Sequence, residues 1–235
     1  MPDADRTLAE ITYYTDPLCC WSWALEPEWR KLLSAYGAWL RWRYRMGGLI
    51  ADWSSYADPL NNVNRAAQMG PLWLQAAQST GVPIDAGIWH DDPPESSYPA
   101  CLAVKAAEQQ GQAVGEAFLR RAREAVMLER RNIGRVGVLV ELAREIAEVP
   151  GFAVAFDPVR FQTNLDNPTV LEAFRDDLTD VRYRGIGRLP TLIIRPVEGR
   201  SVMVVGYRPF ELLRDALLWA VPDLPEATVD APGSP

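Results

Sequence analysis

Two adjacent thiols, Cys19 and Cys20, stand between a β-type run, Ile11-Thr12-Tyr13-Tyr14, and a helix-type run from Trp23 to Tyr36. A cysteine at a strand-to-helix junction lies near the first unpaired helix N–H groups and the positive end of the helix dipole. Both favour the thiolate, which is the nucleophilic form, and such positions lower a cysteine pKa from ~8.5 by one to several units. Cys19 is therefore the expected catalytic nucleophile, attacking a disulfide to give a mixed disulfide. Ser22 follows three residues later, and a hydroxyl without an activating base is a poor nucleophile. Cys19 and Ser22 thus read as a single-thiol catalytic pair, whose adducts an external thiol such as glutathione must resolve. No bound cofactor is expected. Cys20 reads as a small residue of the first helical turn or as a partner of Cys19 in a strained vicinal disulfide. Trp21 and Trp23 flank Ser22. An exposed tryptophan at such a turn suits an apolar peptide surface, and Trp23 is the better core candidate. Asp16 places a negative charge close to Cys19, which opposes thiolate formation.

Other chemistries have less support. His90 is the single histidine, beside Asp91-Asp92. It lacks the Cys/His clustering of a zinc site and offers no Cys–His pair, so no metal is expected. No glycine-rich phosphate or dinucleotide motif is present. The 24 Lys+Arg against 31 Asp+Glu leave a net charge of −7, which disfavours nucleic acid as a partner. Arg41, Arg43 and Arg45 alternate with Trp42 and Tyr44, the pattern of a strand with one solvated face. No apolar run approaches the ~18 residues of a membrane span, and residues 1–10 carry no apolar signal core. The expected compartment is cytoplasmic. There the 3 cysteines are not a disulfide framework, and the expected partners are protein or peptide thiols and disulfides.

The elements that must position Cys19 follow from pattern. Ile11 to Thr15 reads as a first strand, Cys20 to Tyr36 as a helix stopped by Gly37, and Trp39 to Met46 as a second strand. Pro27 should kink the helix. Helical periodicity follows over Asn64 to Thr80, Pro99 to Gln110, Val114 to Leu128 and Val136 to Glu148, with a loop over 81–97. Pro150-Gly151 is a break. A short helix over Pro158 to Leu165 and another opened by Asn167-Pro168 and running to about Arg184 precede two strands, Leu192 to Ile194 and Val202 to Val205, and a last helix from Phe210 to Trp219.

The stretch Asp16-Pro17-Leu18-Cys19-Cys20-Trp21-Ser22 resembles the active-site turn of DsbA-like thioredoxin-fold proteins, Asp-Pro-Leu-Cys-x-x-Cys-Trp, with Ser22 at the second cysteine. Gly187-Arg188-Leu189-Pro190-Thr191-Leu192 resembles the cis-proline segment of that family, and Pro94 to Cys101 the start of its inserted helical domain. Ala24-Leu25-Glu26-Pro27, Arg43 to Gly48 and Leu128 to Ile133 are similar to the FrnE/SpxH-like branch, which includes adaptors delivering the regulator Spx to the ClpXP protease. The resemblance spans about residues 9–221. It implies an α/β thioredoxin fold with a large all-helical insertion: a discontinuous thioredoxin-like domain over 9–59 and 151–221, an insertion over 60–150, and a loose tail over 222–235. It implies a cis bond at Pro190, substrate contacts from Cys20, Trp21, Leu189, Pro190, Ser97 and Tyr98, and Cys101 as a candidate resolving thiol. Two other functions share the scaffold: a non-catalytic adaptor holding a protein client, and a glutathione-using enzyme like the kappa-class transferases and hydroxychromene carboxylate isomerases. The last group typically carries serine where Cys19 stands.

Overall fold

The computed structural model describes residues 7–149 and 156–225. Its frame is a four-stranded sheet in the order β2-β1-β3-β4, formed by β1 (Ala9–Thr15), β2 (Leu40–Met46), β3 (Thr191–Pro196) and β4 (Val202–Val205). β1 runs parallel to β2 and antiparallel to β3, and β4 is antiparallel to β3. Central β1 is covered on both sides, so Ile11, Tyr13 and Tyr14 are all buried. A half-exposed strand would alternate; this one needs apolar or aromatic side chains on both faces.

Helix α1 (Cys20–Tyr36) makes the parallel crossover from β1 to β2. Leu25, Trp29, Leu32 and Tyr36 recur at helical spacing and are buried, each large side chain contributing about 1.5–3 kcal/mol. Gly37 does not stop the helix in a left-handed turn. Its φ is −57°, and the chain tightens into a 3₁₀ turn over Gly37–Trp39 before β2. On β2, Arg41 and Arg43 face solvent, but Arg45 of the same face reaches Asp177 under a helix. The solvated-face reading holds for two of the three arginines.

Between β2 and β3 the chain is helical: α2 (Met69–Thr80), α3 (Ile88–Asp91), α4 (Tyr98–Glu108), α5 (Gln112–Leu128), α6 (Val136–Ala147), α7 (Pro158–Asn164) and α8 (Pro168–Tyr183). The helix expected from Asn64 begins at Met69, after a 3₁₀ turn at Ala66–Gln68. The loop expected over 81–97 contains α3, whose Ile88 and Trp89 are buried. α7 packs on α4 and α6, so the helical layer continues past the boundary expected at 150/151, which itself lies outside the described residues. α8 ties this layer to the sheet. Its buried Asp177 accepts the Met46 N–H at 2.9 Å, and pairs with Arg45 at 2.5 Å and Lys105 Nζ at 3.1 Å. A carboxylate so buried is tolerable only with this many donors.

Helix α9 (Phe210–Ala220) packs on α1, β3 and β4. The loose tail expected over 222–235 does not hold at its start: Leu224 is buried in the core beside Val221. Its remainder, 226–235, lies outside the described residues. Among the described residues no helix is long and apolar enough to cross a membrane.

Candidate active site

Strand register brings four loops to one edge of the sheet. Thr15, the last residue of β1, is opposite Met46, the last of β2; Tyr14 is opposite Thr191, the first of β3; and Thr191 is opposite Val205, the last of β4. The turn 16–19, the loop beginning Gly47-Gly48, the segment ending Leu189-Pro190 and the loop 206–208 therefore converge. The carboxyl ends of parallel strands are where open α/β sheets hold ligands.

Two hydrogen bonds fasten the convergence: Gly47 N–H to the Thr15 carbonyl at 2.6 Å, and Gly206 N–H to the Pro190 carbonyl at 2.8 Å. A Cβ at Gly47 would sit 2.5 Å from Leu189 Cδ1, so a larger residue there would push the Leu189 side chain aside. Gly48, at φ +62°, lies where a Cβ would meet Leu178 and Tyr98. The Leu189–Pro190 peptide bond is cis.

The convergence leaves a groove of about 700 Å³. Cys19, Cys20, Trp21 and Leu189 line it, with Tyr56 from the 47–68 segment, Leu72 from α2, and Arg188, Tyr207 and Arg208 from the loops flanking β3 and β4. Trp21 and Tyr207 lean together with ring centroids 6.5 Å apart. Trp23 turns into the core, its indole N–H donating to the Pro83 carbonyl at 3.0 Å.

Cys19 is the N-cap of α1. Its Sγ lies 3.7 Å from the Leu189 carbonyl oxygen, to which the thiol donates. The expected low pKa is not what this environment produces. Burial pushes the Cys19 thiol above the ordinary cysteine range and the Asp16 charge adds to the effect, while Ser22 and the Arg123 guanidinium pull the other way. The helix N-terminus is present, but the burial of Cys19 outweighs it. Cys20 is pushed higher still by burial and by the neighbouring Cys19. Both thiols are free, with no vicinal disulfide between them. Ser22 Oγ is buried without a hydrogen-bond partner. A developing thiolate at Cys19 would give that hydroxyl an acceptor.

Beneath the turn, Asp16 is fully buried. Its Oδ1 accepts the Leu18 N–H at 2.8 Å; its Oδ2 accepts the Leu49 N–H at 2.7 Å, the Ser97 hydroxyl at 2.9 Å and the Cys101 thiol at 3.3 Å. This corrects three expectations. Ser97 is fully buried and bonded to Asp16 and the Ile50 N–H, so it holds the turn from behind and does not face substrate. Tyr98 packs edge-on against Phe174, centroids 5.0 Å apart, at Gly48, and does not line the groove. Cys101 is fully buried on Asp16, away from the groove, and burial raises its pKa. Pro190 is buried behind Leu189 and shapes the groove through it.

Arg123 was not singled out by sequence. It is fully buried, with Nη1 on Glu26 Oε2 at 2.8 Å, Nη2 on the Thr15 hydroxyl, and Nε without a partner. The signal was available: Leu119, Ala122, Arg123 and Val126 share one face of α5, and all are buried. Among the described residues no cluster of metal-ligating side chains occurs, and the His90 side chain is exposed.

A family model described as Thioredoxin matches residues 13–215. The chain belongs to the thioredoxin family. The ClpXP adapter protein SpxH of Halalkalibacterium halodurans is 28% identical over 209 residues, covering 88% of this chain and 66% of that relative. The chain thus spans about two thirds of the adapter's length. The cytosolic disulfide reductase DsbM of Pseudomonas aeruginosa is 25% identical with a TM-score of 0.64, over 91% of this chain and 93% of that one; it is also solved with GSH. A structure from Nitrosomonas europaea aligns at a TM-score of 0.71 and 21% identity, over 89% and 96% of the two chains, a likeness of fold. The chain is a DsbA-like thioredoxin-fold protein with SpxH-like relatives.

Proposed function

We propose that this protein is a single-thiol disulfide oxidoreductase. Cys19 takes the glutathionyl group from a protein mixed disulfide, and free glutathione removes it. The observation that carries the reading is the position of Cys19: at the N-terminus of α1, opening onto a groove, with its thiol on the Leu189 carbonyl. The Cys19 thiolate attacks the glutathione sulfur of the mixed disulfide. A new S–S bond forms, the old one breaks, and the protein sulfur leaves as a thiolate that takes up a proton. A second glutathione thiolate then attacks the glutathione sulfur on Cys19, giving glutathione disulfide and returning the Cys19 thiolate. Two electrons pass from two glutathione molecules, one of them delivered as the adduct, and the protein undergoes no net change.

The Leu189 carbonyl gives this cycle a local logic. In the resting protein it accepts the Cys19 S–H. Once Cys19 is in a disulfide that hydrogen is gone, and the carbonyl is open to an N–H of the bound chain, as in strand addition. Ser22 offers no internal thiol, so a stored two-electron disulfide is not part of the cycle. The reading implies a reducing compartment, the cytosol, where the Pseudomonas relative acts.

Because burial holds the resting thiol protonated, turnover is expected to rise about tenfold per pH unit until the Cys19 pKa is reached. The test is glutathione-coupled reduction of a glutathionylated protein, followed from pH 6 upward, with wild type and Cys19→Ser. A flat profile, or activity surviving Cys19→Ser, would sink the mechanism. The likeness to SpxH supports a second reading, an adaptor that grips a client without turnover. It predicts client capture that survives Cys19→Ala in a protein with no glutathione-dependent activity.

A further inference from the structure

The groove's charge runs against that of the chain. The protein carries a net −7, yet the charged residues lining the groove are two arginines, Arg188 and Arg208, and one carboxylate, Asp58. Asp58 is already engaged: it accepts the Leu60 and Asn61 N–H groups at 3.1 and 3.2 Å and the Asn61 side-chain amide at 2.5 Å. Among the described residues, the other cations of the molecule often have carboxylate partners, as in Arg121, Arg131 and Arg45. Among the described residues Arg188 has no side-chain partner. Arg208 donates Nη1 to the Tyr207 carbonyl at 2.8 Å, leaving its remaining donors open. Both side chains are exposed.

The two arginines also fall on joined loops. Arg188 immediately precedes Leu189, whose carbonyl holds the Cys19 thiol at 3.7 Å. Arg208 lies two residues beyond Gly206, whose N–H is bonded to the Pro190 carbonyl at 2.8 Å. Both arginines therefore stand on the joined loops beside the segment that faces the reactive sulfur, and both line the groove. A guanidinium presents paired donors matched to a carboxylate.

We propose that Arg188 and Arg208 are the carboxylate-binding residues of the groove, selecting glutathione over other thiols as the group handled at Cys19. This rests on the oxidoreductase reading above. Glutathione is a tripeptide with a carboxylate at each end and its sulfur between them, and three extended residues span about 10 Å. Its two carboxylates, one of them beside an ammonium, give it a net negative charge that two open guanidinium groups lining the same groove can meet. A neutral or cationic small thiol gains nothing from the pair.

The test separates binding from turnover. S-methylglutathione keeps both carboxylates but cannot exchange; its diethyl ester lacks both negative charges and keeps only the ammonium. Binding of each is measured by calorimetry to wild type, Arg188→Ala, Arg208→Ala, the double variant and Arg188→Lys. Exposed contacts are modest, so each alanine should weaken S-methylglutathione about 3- to 5-fold and the double about 10-fold or more, with the lysine between. The preference for acid over ester should vanish in the double variant, and shrink in wild type at about 0.5 M salt. Equal binding of acid and ester to wild type, or a preference that survives the double variant, overturns the proposal. So does an arginine effect confined to the protein substrate with glutathione binding intact, which would reassign the pair to an acidic client. Loss of turnover at every thiol with the preference intact defeats the oxidoreductase reading and leaves this site standing.

Discussion

The turn that carries Cys19 has two sides, and they are built differently. On the groove side the polar groups are under-used: the Leu189 carbonyl holds a weak thiol donor, and Arg188 and Arg208 keep open donors. On the underside Asp16 accepts four donors from three segments, and Arg123 is clamped between Glu26 and Thr15. A buried carboxylate that holds four donors fixes geometry, and open groups lining a groove leave valence for a ligand. The contrast says which residues of the motif serve chemistry and which serve the scaffold. Asp16, Ser97 and Cys101 belong to the scaffold, although a motif reading treats Ser97 and Cys101 as neighbours of the substrate.

The contrast is broken most severely at Asp16. Asp16→Ala leaves two buried N–H groups, a hydroxyl and a thiol without their acceptor, at about 1–3 kcal/mol for each strongly donating group. A loss of at least ~3 kcal/mol in denaturant unfolding is expected. Its pH dependence has a defined sign. Burial raises the Asp16 pKa, so the folded state holds that proton more tightly than the unfolded state does. The contribution of Asp16 to stability is fully present below the unfolded carboxylate pKa of ~3.9 and is lost as pH rises through the raised folded value. The gap between wild type and Asp16→Ala should therefore be widest in acid and narrow on the way up; a gap that widens with pH would contradict the burial argument.

Arg123→Met comes next. It removes a buried cation and leaves Glu26, nearly buried itself, with only the exposed Arg30 as partner. A cost of about 2–3 kcal/mol follows, toward the low end for breaking a buried pair because Glu26 keeps that second cation. A second readout separates an electrostatic role from packing alone. Arg123 favours the Cys19 thiolate, so the midpoint of Cys19 alkylation should move to higher pH in the variant. An unchanged midpoint would make Arg123 a purely structural residue.

What the sequence made legible was local. β1, α1 and the order of later elements follow from alternation and helical spacing, and Leu189-Pro190 was marked by its motif. What it hid depends on chain segments far apart. The direction of the Cys19 pKa could not be read from residues 15–23, because it is set by burial, which depends on segments distant in sequence that meet at the groove. Arg188 and Arg208 are 20 positions apart in loops without periodicity, and only the β3–β4 pairing brings them to one groove. Arg123 is the intermediate case: its place on the apolar face of α5 was visible, but a charged residue there is read as a flank unless a buried acid is known to await it.

Cys101→Ala is the mildest change and the sharpest discriminator between the two sides. If the underside is scaffold, the variant loses one weak S–H donor of the four on Asp16 and a small buried volume, about 1 kcal/mol together. Glutathione-coupled turnover should then match wild type at every glutathione concentration, because no step passes through this sulfur. If Cys101 resolved the Cys19 adduct, turnover would instead fall most steeply when glutathione is scarce, where an internal thiol matters most. The geometry argues for the first outcome. The Cys101 sulfur is fully buried and already donates to Asp16, and the raised pKa of that thiol disfavours the thiolate that attack on a disulfide requires.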